Sequence, residues 1–186
     1  MKLKQKKSNR EQAPEGVHLS RVVGLTSLGL QPGYTWNGKW IEPAYKIEIT
    51  YELVNTLMED ERPFWVSEEL TVTDFEKGNL HPRLVATGVK FDTIDQMIGR
   101  PCMITLEHNE KGYPKIVNVA GVPTGFEVPE LKNATVTFDI YSDEPDMDTF
   151  WNFPEFKRDK ILAALDLQET AFYQEYLKTN VEDDDI

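Results

Sequence analysis

Tyr45, Ile47, Ile49, Tyr51 and Leu53 alternate with Lys46, Glu48, Thr50 and Glu52. A period of two places successive side chains on opposite faces, so this run makes a half-buried β-strand. Gly16 to Leu30 forms a longer strand, with Leu19, Val22, Val23, Leu25, Leu28 and Leu30 as apolar positions and interruptions at Gly24 and Gly29. A glycine inside a strand marks a bulge or a bend, which is how a long first strand turns the corner of a small barrel. Phe64 to Thr73 is a third strand on Phe64, Val66, Leu70 and Val72, with Trp65 on the opposite face. Cys102, Ile104 and Leu106 alternate with Met103, Thr105 and Glu107. The turn Lys111-Gly112-Tyr113-Pro114 follows, and Lys115 to Ala120 resumes as a strand.

Between the third and fourth strands the pattern changes. Leu80, Leu84 and Val85 have helical spacing, and Thr93 to Ile98 makes one or two helical turns, with Thr93 as a cap. Three strands, a helical connection and two further strands is the order of an OB-fold, a five-stranded Greek-key β-barrel. The expected class is therefore mainly β, with an OB-fold barrel over 16–128 and a C-terminal α-helical extension. Ligands of such barrels are framed by the loops between strands 1 and 2 and between strands 4 and 5. Here those loops are Gln31–Pro43 and Asn109–Pro114, and they carry Tyr34, Trp36, Lys39, Trp40, Lys111 and Tyr113. Three large aromatics within one polar loop have two readings: a lid packed on the core, or faces on which bases stack. Trp36 is expected outward and Trp40 inward.

The formal net charge of −12 is unevenly distributed. Residues 1–120 hold 15 Lys+Arg against 16 Asp+Glu, and residues 121–186 hold 5 against 16, so the balances are −1 and −11. Residues 1–15 are expected to form a disordered basic arm, able to add non-specific attraction to phosphates. Residues 129–179 form an extension: Val136 to Tyr141 as a short strand, an aromatic cluster of Phe150, Trp151, Phe153 and Phe156, and one amphipathic helix from Phe156 to Thr179. Residues 180–186 are an acidic tail.

Several classes of activity lack their residues. No GxxxxGK[ST] or GxGxxG phosphate loop occurs, and His18, His81 and His108 have no metal-ligand spacing to one another or to Cys102. Glu68 and Glu69 project to opposite faces of a strand and do not converge on a metal. No cofactor and no enzymatic activity are expected. The single cysteine excludes an internal disulfide framework and reads as a buried small hydrophobe. No run of about 18 apolar residues is present to span a membrane, and the basic N-terminus lacks the apolar segment of a secretory signal. A cytoplasmic location is expected.

The succession Trp36-x-Gly38-Lys39, Lys46-Ile47 through Tyr51-Glu52-Leu53, Ser67-x-Glu69 with Thr71, and Ile98-Gly99-Arg100-Pro101-Cys102 resembles small phage-encoded OB-fold proteins that bind single-stranded DNA in replication and recombination. The resemblance covers about Gly16 to Pro129. The end of the chain is similar to the acidic tails of single-stranded-DNA-binding proteins, whose bacterial members finish with an acidic run and Ile-Pro-Phe. Glu182, Asp183, Asp184, Asp185 and Ile186 match the acids and the isoleucine, and the Pro-Phe pair is absent. The resemblance implies sequence-independent binding of single-stranded DNA in the host-cell cytoplasm by a monomer or homodimer, with the tail competing with DNA or recruiting replication or repair proteins. The basic candidates are Arg21, Lys39, Lys46, Arg62, Lys111 and Lys115, and the stacking candidates are Tyr34, Trp36, Trp40, Trp65 and Tyr113. The alternative is a protein-interaction module or phage structural component, in which exposed aromatics anchor an interface.

Overall fold

The computed structural model describes residues 10–181. Residues 1–9 of the expected arm and Glu182–Ile186 of the expected tail lie outside the described residues.

The molecule is mainly β, and the expected strands form one sheet. Strands β1 (Gly16–Gln31), β2 (Tyr34–Trp36), β3 (Lys39–Ile41), β4 (Ala44–Leu57), β5 (Pro63–Thr71), β6 (Pro101–His108), β7 (Pro114–Ala120) and β8 (Val136–Phe138) occur in chain order. The main sheet runs β5-β4-β1-β6-β7 through antiparallel ladders. It has six strands where five were expected, because β8 pairs parallel with Gly24–Thr26 of β1. At the two ends of this order, β5 and β7 approach within 8 Å between Cα atoms.

Alternation sets the interior. Ile49, Tyr51 and Leu53 of β4 and Cys102, Ile104 and Leu106 of β6 are buried together with Val22, Phe64, Val66 and Met97. Each such side chain contributes roughly 1.5–3 kcal/mol on removal from water. Helix α1 (His81–Thr87) and the 3-10 segment Phe91–Met97 lie between β5 and β6. Thr93 sits inside that segment with non-helical torsions, and Lys90 is its N-cap without a side-chain bond. The inward Glu68 anchors α1: Arg83 donates to its two oxygens at 2.9 and 2.7 Å, and the Tyr51 hydroxyl donates at 2.9 Å. Burial, reinforced by the Glu68 charge, pushes the Tyr51 hydroxyl well above its ordinary pKa.

Strand β1 carries two bulges, at Val23 and Leu28, where its pairing with β4 skips a residue. Val22 and Leu25 enter the first core, while Leu28 enters a second one with Phe138, Ile140, Phe150, Phe153, Ile161 and Phe172. Next to Leu28, Gly29 has φ +74°, and a Cβ there would lie 2.7 Å from the Ala164 Cβ. Only glycine allows both this torsion and this approach of the helical layer.

The C-terminal layer is not the single helix expected over Phe156–Thr179. It comprises α2 (Met147–Asn152), α3 (Glu155–Leu162), a 3-10 turn (Leu167–Glu169) and α4 (Ala171–Val181). The helix breaks because the connecting residues bond to the end of β1: the Leu165 N–H donates to the Leu30 carbonyl at 2.8 Å, and the Leu30 N–H to Asp166 Oδ1 at 3.1 Å. The Tyr141 hydroxyl donates to Asp166 Oδ2 at 2.7 Å. Phe156 leaves the aromatic cluster and is exposed, as is Leu165.

The arm expected over 1–15 also divides. Ala13 is buried, and its carbonyl accepts His108 Nε2 at 2.7 Å. Glu15 accepts the His108 N–H at 2.7 Å, and Glu11 accepts the Glu59 N–H. Residues 11–15 therefore belong to the folded body, since their polar groups close its edge.

Candidate nucleic-acid interface

The β4–β5 register pairs Glu52 with Trp65, Thr50 with Ser67, Glu48 with Glu69, and Lys46 with Thr71 on the outer face. Each rung has its own bonding. Glu52 is 0% exposed, because residues 128–133 cross over it. Its carboxylate accepts Trp65 Nε1 at 2.9 Å, the Lys132 N–H at 2.6 Å and Asn133 Nδ2 at 2.7 Å. Trp65 is thereby held at its polar edge while 46% of its surface stays in solvent. Thr50 and Ser67 share a hydrogen bond of 2.8 Å. Glu48 and Glu69, like charges directly opposite, are answered from α3: Lys157 pairs with Glu48 at 2.6 Å, and Lys160 pairs with Glu69. Lys46 Nζ donates to Thr71 Oγ1 at 2.8 Å.

Trp65 stands between two concavities. The first, of about 460 Å³, is lined by Arg62, Trp65, Tyr113, Asn133 and residues 10–13. The second, of about 510 Å³, is lined by Arg10, Thr50, Trp65, Ser67, Phe156 and Lys157 among others. Arg10 and Trp65 belong to both, so the two form one groove along the outer face of β4–β5. Asn109 shapes the loop that brings Tyr113 to it, accepting the N–H groups of Lys111 and Tyr113 at 3.0 Å each.

The other candidates lie elsewhere. Tyr34, Trp36, Lys39 and Trp40 sit on a β2–β3 hairpin within the segment expected as an irregular loop. Its turn, Asn37-Gly38, has φ of 48° and 74°, the two positive values a type I′ turn requires. Tyr34, Trp36 and Lys39 share one face, and Trp40 lies on the other, over Gly33. Trp40, expected inward, is exposed like Tyr34 and Trp36. The hairpin leaves β1 at Gln31, whereas the Lys111–Tyr113 loop adjoins β6, whose Leu106 pairs with Gly16 at the other end of β1. The two loops thus stand at opposite ends of β1, and neither concavity is lined by the hairpin aromatics.

Arg21, expected to meet phosphate, is committed to the fold. It donates to the carbonyls of Pro129 and Gly99 at 2.8 Å and of Val128 at 2.9 Å, and pairs with Glu130 at 3.3 Å. Arg62 is paired with Asp60 at 2.7 Å, and this bond lowers the Asp60 pKa. Lys111 and Lys115 are exposed, Lys115 in register with Glu107. Arg10 and Phe156 were not among the residues expected at the interface, and Phe156 was expected in the packed aromatic cluster. Arg10 carried only the signature of an arm, and Phe156 had the same local context as the buried Phe150 and Phe153.

Among the described residues no group of His, Cys, Asp and Glu could hold a metal ion, and no helix is long and apolar enough to cross a membrane. The chain matches no protein-family model, no curated protein and no solved structure.

Proposed function

We propose that this protein binds single-stranded DNA without sequence preference, on the groove around Trp65, in phage DNA replication or recombination. The observation that carries the proposal is Trp65 itself. It is an outward, half-exposed indole fixed by Glu52, with Tyr113 and Arg62 in the concavity on one side and Arg10 shared by both sides. A fixed aromatic face accepts any base at about 1–3 kcal/mol per base. The strand order β5-β4-β1-β6-β7, with α1 between β5 and β6, is also the strand order of the OB-fold, whose ligand face is made by the second and third barrel strands, here β4 and β5. We assign the domain to that fold. The acidic tail, Glu182–Ile186, competes with DNA for the groove or recruits replication or repair proteins.

Few cations line the groove, so stacking carries more of the affinity than phosphate contacts. With two or three phosphates neutralised, the logarithm of affinity falls with the logarithm of salt with a slope of roughly −2.

Titration of tryptophan fluorescence with oligo-dT at low and high salt tests the proposal. Saturable quenching that weakens with salt is expected, and Trp65→Ala reduces affinity about 5- to 100-fold. Absence of quenching at low salt, in the full chain and in one ending at Asn180, rejects it. A second reading is favoured by the β2–β3 hairpin, which projects Tyr34, Trp36 and Trp40 away from the groove: exposed aromatics of this kind anchor protein interfaces. Under that reading Trp36→Ala and Trp40→Ala abolish a protein contact and leave DNA affinity unchanged.

A further inference from the structure

We propose, on the basis of the single-strand binding inferred above, that Phe156 is a further stacking platform and that the helical extension forms the far wall of the DNA groove. The ligand it takes is the nucleotide next to the one stacked on Trp65.

Phe156 is 71% exposed, more than any other large hydrophobic residue described. The second core is complete without it, built by Phe150, Phe153 and Phe172. Its ring lines the concavity of about 510 Å³ together with Trp65 and Arg10. That concavity is close in size to the one holding Tyr113 on the other side of Trp65. Two spaces of like volume flanking one indole suit successive nucleotides, each offered one aromatic wall beyond Trp65. The remaining lining has the chemistry of a sugar and base edge: Thr26, Thr50, Ser67 and Asn152 supply small hydrogen-bonding groups, and Gly24 adds no side chain.

The platform is rigid. Lys157 and Lys160 tie α3 to the two carboxylates of the sheet, and Gln31 Nε2 donates to the Lys160 carbonyl at 2.9 Å. Lys157 Nζ also lies 4.1 Å from the centre of the Phe153 ring. These bonds fix the first turn of α3, where Phe156 sits, so little ordering is needed on binding. They also neutralise Glu48, the one carboxylate lining the concavity among the described residues, which would otherwise repel a phosphate.

Oligo-dT titrations of graded length, from about four to sixteen nucleotides, separate the two platforms. In the wild type, affinity rises with length until every platform is occupied. Phe156→Ala is expected to bind the shortest quenching oligomers as the wild type does and the longer ones about 5- to 20-fold more weakly, moving the plateau to a shorter length. Phe156→Trp is expected to retain the wild-type plateau. Trp65→Ala weakens binding at all lengths. A Phe156→Ala titration superimposable on the wild type at every length, with Trp65→Ala still weakened, overturns the role of Phe156 and leaves the groove at Trp65 standing. A wild type that binds no oligomer overturns both. Because Phe156 buries little surface, the thermal midpoint of its variants should match the wild type, so folding does not confound the comparison.

Discussion

Arg21 of β1 and Glu52 of β4 are directly opposite across the ladder, and both hold the segment from Val128 to Asn133. Arg21 donates to its carbonyls, and Glu52 accepts from its N–H groups. The two charges thus clamp one crossing strap from its two polar sides, and the strap in turn covers Glu52.

Replacing Glu52 with alanine leaves Trp65 Nε1, the Lys132 N–H and Asn133 Nδ2 without their acceptor. An unsatisfied buried donor costs about 1–3 kcal/mol. Glu52→Ala should lose roughly 3 kcal/mol or more in urea denaturation. Arg21→Met should show less than additive loss in combination, because both act on one segment. Fully additive losses would mean that the strap is not held as a unit.

Gly29→Ala combines a torsion that non-glycine residues avoid with a Cβ 2.7 Å from that of Ala164. The torsion costs about 1–2 kcal/mol and the overlap about 1–3 kcal/mol. Adding Ala164→Gly should remove the overlap and leave the torsion. Denaturation midpoints of the single and double variants check this, and no recovery in the double would place the whole cost in the backbone.

Burial pushes the Cys102 thiol up to about 11, whereas in the unfolded chain it ionises near its ordinary value of about 8.5. The folded value is the higher one. The thiol's contribution is therefore complete below about pH 8.5 and is lost as pH rises from there towards 11, by up to about 1.4 kcal/mol per unit. Between pH 7.5 and 10 the wild type should lose stability more steeply than Cys102→Ala. Parallel profiles in that window would assign the alkaline loss to other groups, of which Tyr51 is the first to consider above pH 10.

Glu48 and Glu69 oppose each other in the β4–β5 register, with Lys157 and Lys160 beside them. Lys157→Met with Lys160→Met should destabilise by about 1–2 kcal/mol, a value kept small because Lys160 is well exposed. Glu48→Gln should recover part of it, as should added salt. A loss that Glu48→Gln and salt leave untouched would point to packing of the lysine stems instead.

The residues that were legible in the sequence are those whose partners share their periodicity. The alternation around Ile49 and Ile104 marks β4 and β6, and the helical interlude separates β5 from β6 in the expected place. Asn37-Gly38 also carried a hairpin signal, since that dipeptide favours a type I′ turn, but the surrounding prolines and glycines masked it. Residues whose roles depend on distant backbone were not legible. Arg21 meets carbonyls 78, 107 and 108 positions away, and Asp166 breaks a helix by accepting from Leu30, 136 positions earlier. Phe156 differs from Phe150 and Phe153 only in which side of the helical layer it occupies.

The two bulges of β1 also give that strand a parity. Opposite the inward residues of β4 stand Ser20 and Val22, then Leu25 and Ser27, then Leu30: even positions, odd positions, even again. Each extra residue moves the inward positions of β1 from one parity to the other while the opposed face of β4 stays the same, and the second shift restores the first parity. Loss of either Val23 or Leu28 from the chain would therefore close its bulge and leave the pairs on both sides in register, because Val22 and Gly24, and Ser27 and Gly29, already face adjacent residues of β4. The strand can thus lose one residue at either bulge without changing which face its neighbours present, whereas a one-residue slip of its regularly paired stretches would exchange their faces.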